Sequence, residues 1–338
     1  MINLFRKQLE KGTEMEKIYN LFRKYLPIVL AVSSIALVFG LLSLLYYYNE
    51  STINIDFMNV VPIFTVILTA IAIIISIVFT SKVDKLHITK IKKSFGLCKF
   101  ASLLAATLAA ALFFFDFFRF VLNPGQFSSL RIIRLLVFIP FVAYIVINVI
   151  PRKVKSRRIE LPHWLKPTTA ICTIVWSILG LLMIYFWQEL PTTNLFKLIF
   201  LFYYIIVTLF FMFEIKFELL TPVVKGYVIT ALLLFVYTFA IIGPLMIAKF
   251  LGRLTEVTIS EFEIFLAVAL GIYAFAKLVA MQQTMRFVMK NSGTSTKHHH
   301  RHHHHHHHHK HTEKPVTDEA TVPAESTTDQ AEAAKENN

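Results

Sequence analysis

The sequence is short of charge, of cysteine and of recognisable catalytic motifs, and each shortage excludes something. Charged residues make up 16% of the 338 positions and hydrophobic ones 56%, including 32 Phe. Soluble domains carry about a quarter charged residues. A soluble fold of this length could not cover so much apolar surface, whereas a bilayer could. The two cysteines, Cys98 and Cys172, are too few for a disulfide framework and form no paired metal motif. No G-x-S-x-G, H-E-x-x-H or P-loop pattern occurs, so the chain is not expected to be an enzyme. Outside a single tract the only histidines are His87 and His163.

What the sequence has in quantity is long apolar runs. About 20 such residues cross the hydrocarbon as a helix, because each backbone group must bond within its own segment there. Eight runs are read: Pro27 to Tyr48, Val60 to Thr80, Phe100 to Leu122, Leu135 to Ile150, Thr168 to Trp187, Leu195 to Phe213, Tyr227 to Ile247 and Ile264 to Met281. The fourth and eighth are the shortest. Pro62, Pro140 and the Gly243-Pro244 pair fall inside them, where they are expected to kink the helices. The first run is too long for a cleavable signal and no small-residue cleavage site follows it. A repeated pentamer, NLFRK at Asn3 and Asn20, brackets Met15, so translation could begin at Met1 or at Met15.

The expected fold class is therefore all-α: a polytopic membrane protein of eight helices arranged as four hairpins. Residues 1–26 form a basic lead-in, 27–283 the membrane domain, and 284–338 a disordered tail poor in large apolar residues.

Net charge is +13, and where it falls matters more than its size. Of the 34 Lys and Arg, 23 lie before the first run or in alternate loops on that same side, six lie on the opposite side, and five are in the tail. This is the asymmetry that puts basic loops in the cytosol. It predicts both termini inside and contacts with anionic headgroups, not a nucleic-acid footprint. A plasma membrane, most simply a prokaryotic one, is the expected location.

Ionisable residues near the spans are the candidate sites. Asp116 and Arg119, in FFFDFFRF, stand three apart on one helix, with Arg131 and Arg134 across a short loop. From Lys99 to Asp116 is 17 residues, about 25 Å of helix, which puts this group at the outer interface, where it could form an anion-binding vestibule. Glu214, Lys216 and Glu218 end the sixth run and read as an inner-face cluster or a simple helix end. Lys277 is expected to snorkel to the cytosolic headgroups. With these removed the membrane interior holds only mild polar groups such as Ser33, Ser34, Thr65, Thr69, Thr107, Tyr144, Tyr203, Tyr204, Tyr237 and Thr238. A carboxylate or histidine relay at depth is not expected. In the third run, Ala101, Ala105 and Ala109 recur every four residues, a spacing that lets helices approach closely, within the chain or in a homodimer.

The tail carries twelve histidines between His298 and His311: His298, His299, His300, His302, His303, His304, His305, His306, His307, His308, His309 and His311. Arg301 and Lys310 interrupt the run and 27 residues follow it, unlike a purification tag. Imidazoles could hold Zn, Ni or Cu incidentally, but with no fixed geometry or supporting shell. The leading functional expectation is a non-enzymatic permease-like carrier of an apolar or neutral solute, or an accessory subunit with a membrane partner. The alternative is a divalent-metal transporter, or a metal or pH sensor using the histidine tail.

Overall fold

The computed structural model describes residues 2–47, 61–83, 96–124, 128–149, 153–154, 157–158, 162, 164–186, 195–219, 223–252 and 260–301. Their side chains are described within 15–45, 63–83, 96–124, 128–147, 162, 164–186, 196–217, 223–252, 260 and 262–289. His302 to His311 of the tract, and His163, lie outside the described residues.

The described chain is helical throughout, apart from two two-residue segments, Lys153–Val154 and Arg157–Arg158, paired antiparallel. The helices are α1 (Ile2–Tyr47), α2 (Val61–Ser81), α3 (Gly96–Leu122), α4 (Ser129–Val149), α5 (Leu165–Tyr185), α6 (Leu195–Leu219), α7 (Val224–Tyr237), α8 (Gly243–Phe250) and α9 (Glu261–Arg301). A π-turn, Thr238–Ile242, joins α7 to α8, so the two make one crossing. Eight crossings are long and apolar enough to span a membrane. Large apolar side chains point outward along them, among them Val66 at 68% and Leu136 at 66% exposure. Lipid is the solvent such a surface fits, and the chain is a multi-pass membrane protein.

Two readings of the sequence change here. The eighth crossing is not short: it runs from Phe262 to Met289, 28 residues, and is the most buried of the eight. The helix that contains it continues to Arg301, with His298, His299 and His300 on its backbone. The hairpin picture is also incomplete. Besides the sequential pairs α1–α2, α3–α4 and α5–α6, helix α4 packs on α5, α6 on α7, α2 on α7 and α1 on α8. Helix α9 meets α3 through Phe262 on Phe115, α4 through Glu263, α6 through Glu214 and α7 through Phe275 on Phe235. Over its crossing, Phe262–Met289, α9 is thus packed against α3, α4, α6 and α7.

The proline at position 244 explains the π-turn. Proline has no N–H to give the carbonyl four residues back, and its ring crowds that carbonyl. The helix widens by one residue ahead of it, with the Gly243 N–H donating to Thr238 O. Pro140, by contrast, stays inside an uninterrupted α4. The π-turn lies against Gly271 of α9, where a Cβ would stand 1.8 Å from Thr238 Oγ1 and 2.9 Å from its Cβ. Only glycine lets the two helices come this close. Gly271→Ala gains helix propensity, worth up to about 1 kcal/mol. It is nevertheless expected to lower stability by about 1–3 kcal/mol, because α9 must move off Thr238. Thermal unfolding in detergent measures this, and Thr238→Ala should restore part of the loss by removing the closest atom.

Ala101, Ala105 and Ala109 are fully buried within the chain, together with Ser102 and Ala106. Most of the mild hydroxyls turn back on their own helices. Thr69 donates to Thr65 O, Ser76 to Ala72 O, Ser102 to Cys98 O, Thr173 to Thr169 O, and Thr284 to Ala280 O. This satisfies a polar group where no water is present, and it leaves these hydroxyls little capacity to line a path.

Candidate functional site

Two buried clusters of opposite charges join α9 to its neighbours. At one, Lys277 Nζ lies 2.9 Å from Glu214 Oε1, with side-chain exposures of 4% and 1%. The Tyr273 hydroxyl donates to the same carboxylate oxygen at 2.7 Å, and the Lys277 ammonium stands 5.2 Å from the centre of the Tyr273 ring. The other oxygen, Oε2, is buried without a hydrogen-bond partner. Phe210 and Phe217, one turn either side of Glu214 on α6, stack on Tyr227 of α7, and Phe210 meets Tyr273 edge-on. The carboxylate is therefore held among aromatic rings, where the charge of Lys277 offsets the cost of removing it from water.

At the second cluster, Arg134 of α4 lies 3.1 Å from Glu263 of α9, at exposures of 6% and 14%. Arg134 also donates to the Tyr204 hydroxyl, which in turn donates to Glu263 Oε1, so a tyrosine of α6 closes the triangle. The guanidinium spreads over the rings of Trp176 and Tyr204, at 5.2 Å and 5.3 Å from their centres. Its Nη1 reaches Met183 Sδ at 3.7 Å, while its Nε has no acceptor. Trp176 stacks on Phe141 at 4.1 Å, which fixes the platform. Gly180 of α5 makes room for the tyrosine: a Cβ there would stand 2.4 Å from the Tyr204 ring.

Both clusters follow from helix periodicity. Glu263, Ala267, Leu270, Ala274 and Lys277 are spaced four, three, four and three apart, so they share one face of α9. The two charges stand at the ends of that face, 14 residues and roughly 21 Å apart. On α6, Tyr204, Val207, Phe211 and Glu214 follow the same pattern, and the positions between the charged ends on both helices are apolar. Two polar contacts are thus separated by a dry layer, of which Ala267, Leu270, Ala274 and Val207 are fully buried.

The predicted outer cluster is only partly assembled. Asp116 is half-buried and lies within electrostatic reach of Arg119, Arg131, Arg134 and Glu263. Arg119 is exposed, over the Phe115 ring, and Arg131 is also exposed. Arg134 does not line a vestibule with them; it turns inward to Glu263. Of the predicted inner cluster, Glu214 is buried and paired, and Lys216 is half-buried near the Phe213 ring. The Glu218 side chain lies outside the described residues. Lys277 does not snorkel to headgroups, since it is 3% exposed and bound to Glu214.

Sequence reasoning missed Glu263 altogether and misjudged Glu214 and Lys277. The eighth run was cut short at both ends, so Glu263 fell in a loop and Lys277 near an interface. The signal that could have found them was the pair of opposite charges two heptads apart on one apolar helix.

A cavity of about 220 Å³ opens between α8 and the start of α9, lined by Met246, Lys249, Phe250, Ile264 and Phe265. It adjoins the Glu263 end of the stripe. Among the described residues no three His, Cys, Asp or Glu side chains gather as metal ligands. No protein-family model, no curated protein and no solved structure matches this chain.

Proposed function

We propose that the protein is a permease-like carrier of a small neutral or apolar solute, with both chain ends on the cytosolic side. The observation that carries this is the single face of α9 with a buried ion pair at each end and an apolar layer between. A static scaffold gains little from such pairs, because well-packed apolar residues in their place are commonly neutral or stabilising. A carrier uses them as gates. Each pair seals its end while dry, and can separate when that end opens and water solvates the released charges. With the pairs on one rigid helix, a tilt of α9 against α6 opens one end while the other stays closed, the rocking movement common to alternating-access carriers. The Gly271 contact with the π-turn lies between the two ends and serves as the pivot.

The 220 Å³ cavity beside the Glu263 end, lined by Lys249 as well as by Met246, Phe250, Ile264 and Phe265, fits a solute smaller than a typical drug-sized ligand. The excess of Lys and Arg in one set of loops supports the orientation, which puts the Glu214 end towards the cytosol.

A thiol in the dry layer tests the reading. Ala267 is fully buried, so a cysteine there is silent if the bundle is static. With Cys98 and Cys172 replaced by serine and the protein in lipid vesicles, a membrane-permeant thiol reagent should label Ala267→Cys to completion, because every molecule visits an open state. No labelling, with the same cysteine reactive after denaturation, would instead mark a static accessory subunit.

A further inference from the structure

We infer that Glu214 is a proton-binding site, and that the carrier takes a proton there as its coupling ion. The inference rests on the carrier reading above. Three features of the site point to it. Glu214 has one oxygen bound by Lys277 and Tyr273 and one, Oε2, buried with no partner. Its surroundings are packed: Phe210, Phe211, Tyr227 and Tyr273 are all fully buried. A proton is a ligand that such a site can accept without a cavity. Finally, the site stands at the end of the α9 face, where a change in charge acts directly on a gate.

The step is simple in its balance. One proton passes from water to Oε2, and the carboxylate becomes a neutral carboxylic acid. Lys277 keeps its own proton and its charge, and loses the charge of the carboxylate beside it. That arrangement is costly, so Lys277 moves towards water and takes its part of α9 away from α6. Loss of the proton restores the carboxylate, and the pair closes again. The hydrogen bond from Tyr273 to Oε1 survives in either state and keeps the carboxyl in place.

Of the ionisable groups on α4, α5, α7 and α9, the helices packed against α6, three stand at this face, Lys277, Tyr273 and Tyr227, and Tyr144 of α4 lies against the neighbouring Phe211. Lys166 and Lys225 begin α5 and α7, and Lys216 lies on α6 itself, over Phe213. Among these, Glu214 is the one carboxylate.

Infrared difference spectroscopy on the protein in vesicles tests this between about pH 8 and about pH 4, the range that brackets ordinary carboxylate titration. A carboxylic-acid carbonyl band should appear on acidification, and should be missing from Glu214→Gln. If that variant fails to fold, the double variant Glu214→Gln with Lys277→Met, which removes both charges, provides the same control. In parallel, the labelling rate of Ala267→Cys from the Glu214 side should rise by roughly tenfold on acidification, the response to about one pH unit of coupling. A band that persists in both variants, or none at all, overturns the proton site. If Ala267→Cys is labelled all the same, the carrier reading survives that failure. A Glu214 band with unchanged labelling means the proton does not work the gate, and also overturns the inference.

Discussion

Replacing either Glu214 or Lys277 alone is expected to be among the most damaging changes this protein can suffer, at about 3–5 kcal/mol of stability. Both side chains are almost wholly excluded from solvent and stand 2.9 Å apart. Lys277→Met leaves the Glu214 carboxylate with only the Tyr273 hydroxyl. Glu214→Leu leaves an ammonium over an aromatic ring, and the cation–π attraction, about 2 kcal/mol when desolvated, offsets part of the loss. The double replacement Glu214→Leu with Lys277→Met removes both charges and should recover most of the stability, since apolar groups of similar size then fill the site. A double-mutant cycle on thermal unfolding reads the coupling directly. Near-additive losses would mean the two residues do not act as a pair.

Arg134→Met should cost about as much, roughly 3–5 kcal/mol, by leaving Glu263 partly buried without its cation. The informative variant is Arg134→Lys. An ammonium keeps the charge but loses the planar fork that meets Glu263 and Tyr204 together, and it cannot spread over Trp176 in the same way. Arg134→Lys is therefore expected to recover less than half of the loss. Full recovery would reduce the cluster to a simple charge pair. Intrinsic tryptophan fluorescence gives a second readout, because Trp176 is fully packed beneath the guanidinium and should shift when that cover is removed.

The membrane architecture was legible in the sequence because it depends on composition over about 20 residues at a time, and the bilayer enforces that length. Six of the eight runs needed changes of at most six residues at either end, whereas the first crossing begins at Met15 rather than Pro27 and the eighth extends to Met289. Where the reading failed, it failed for one reason. Depth along an isolated helix was used to decide whether a charge faces water, as at Glu214 and Lys277. Burial is instead set by what the neighbouring helices bring to the same level, and that is a tertiary property. Lys277 pairs with a residue 63 positions earlier in the chain, and Arg134 with one 129 positions later. No local pattern records those partners. The glycines follow the same logic: nothing beside Gly180 or Gly271 in sequence announces that a Tyr204 ring or a Thr238 hydroxyl will lie against them.

Most of the histidine run, the most conspicuous feature of the sequence, lies outside the described residues. Its first three members are on the helical backbone of α9, and among the described residues the two charged clusters contain no histidine. The proposal of transport rests on Glu214, Lys277, Arg134 and Glu263.

The measurement that bears most directly on that argument uses the Ala267→Cys protein with an impermeant thiol reagent applied to one side of the vesicle at a time. The gates are weakened singly by Tyr204→Phe or Tyr273→Phe, which leave both ion pairs in place but remove the bridging hydroxyls. The two-gate account predicts that Tyr204→Phe makes residue 267 reactive from the Glu263 side, and Tyr273→Phe from the Glu214 side. Reactivity from the same side in both variants, or from neither, would contradict it.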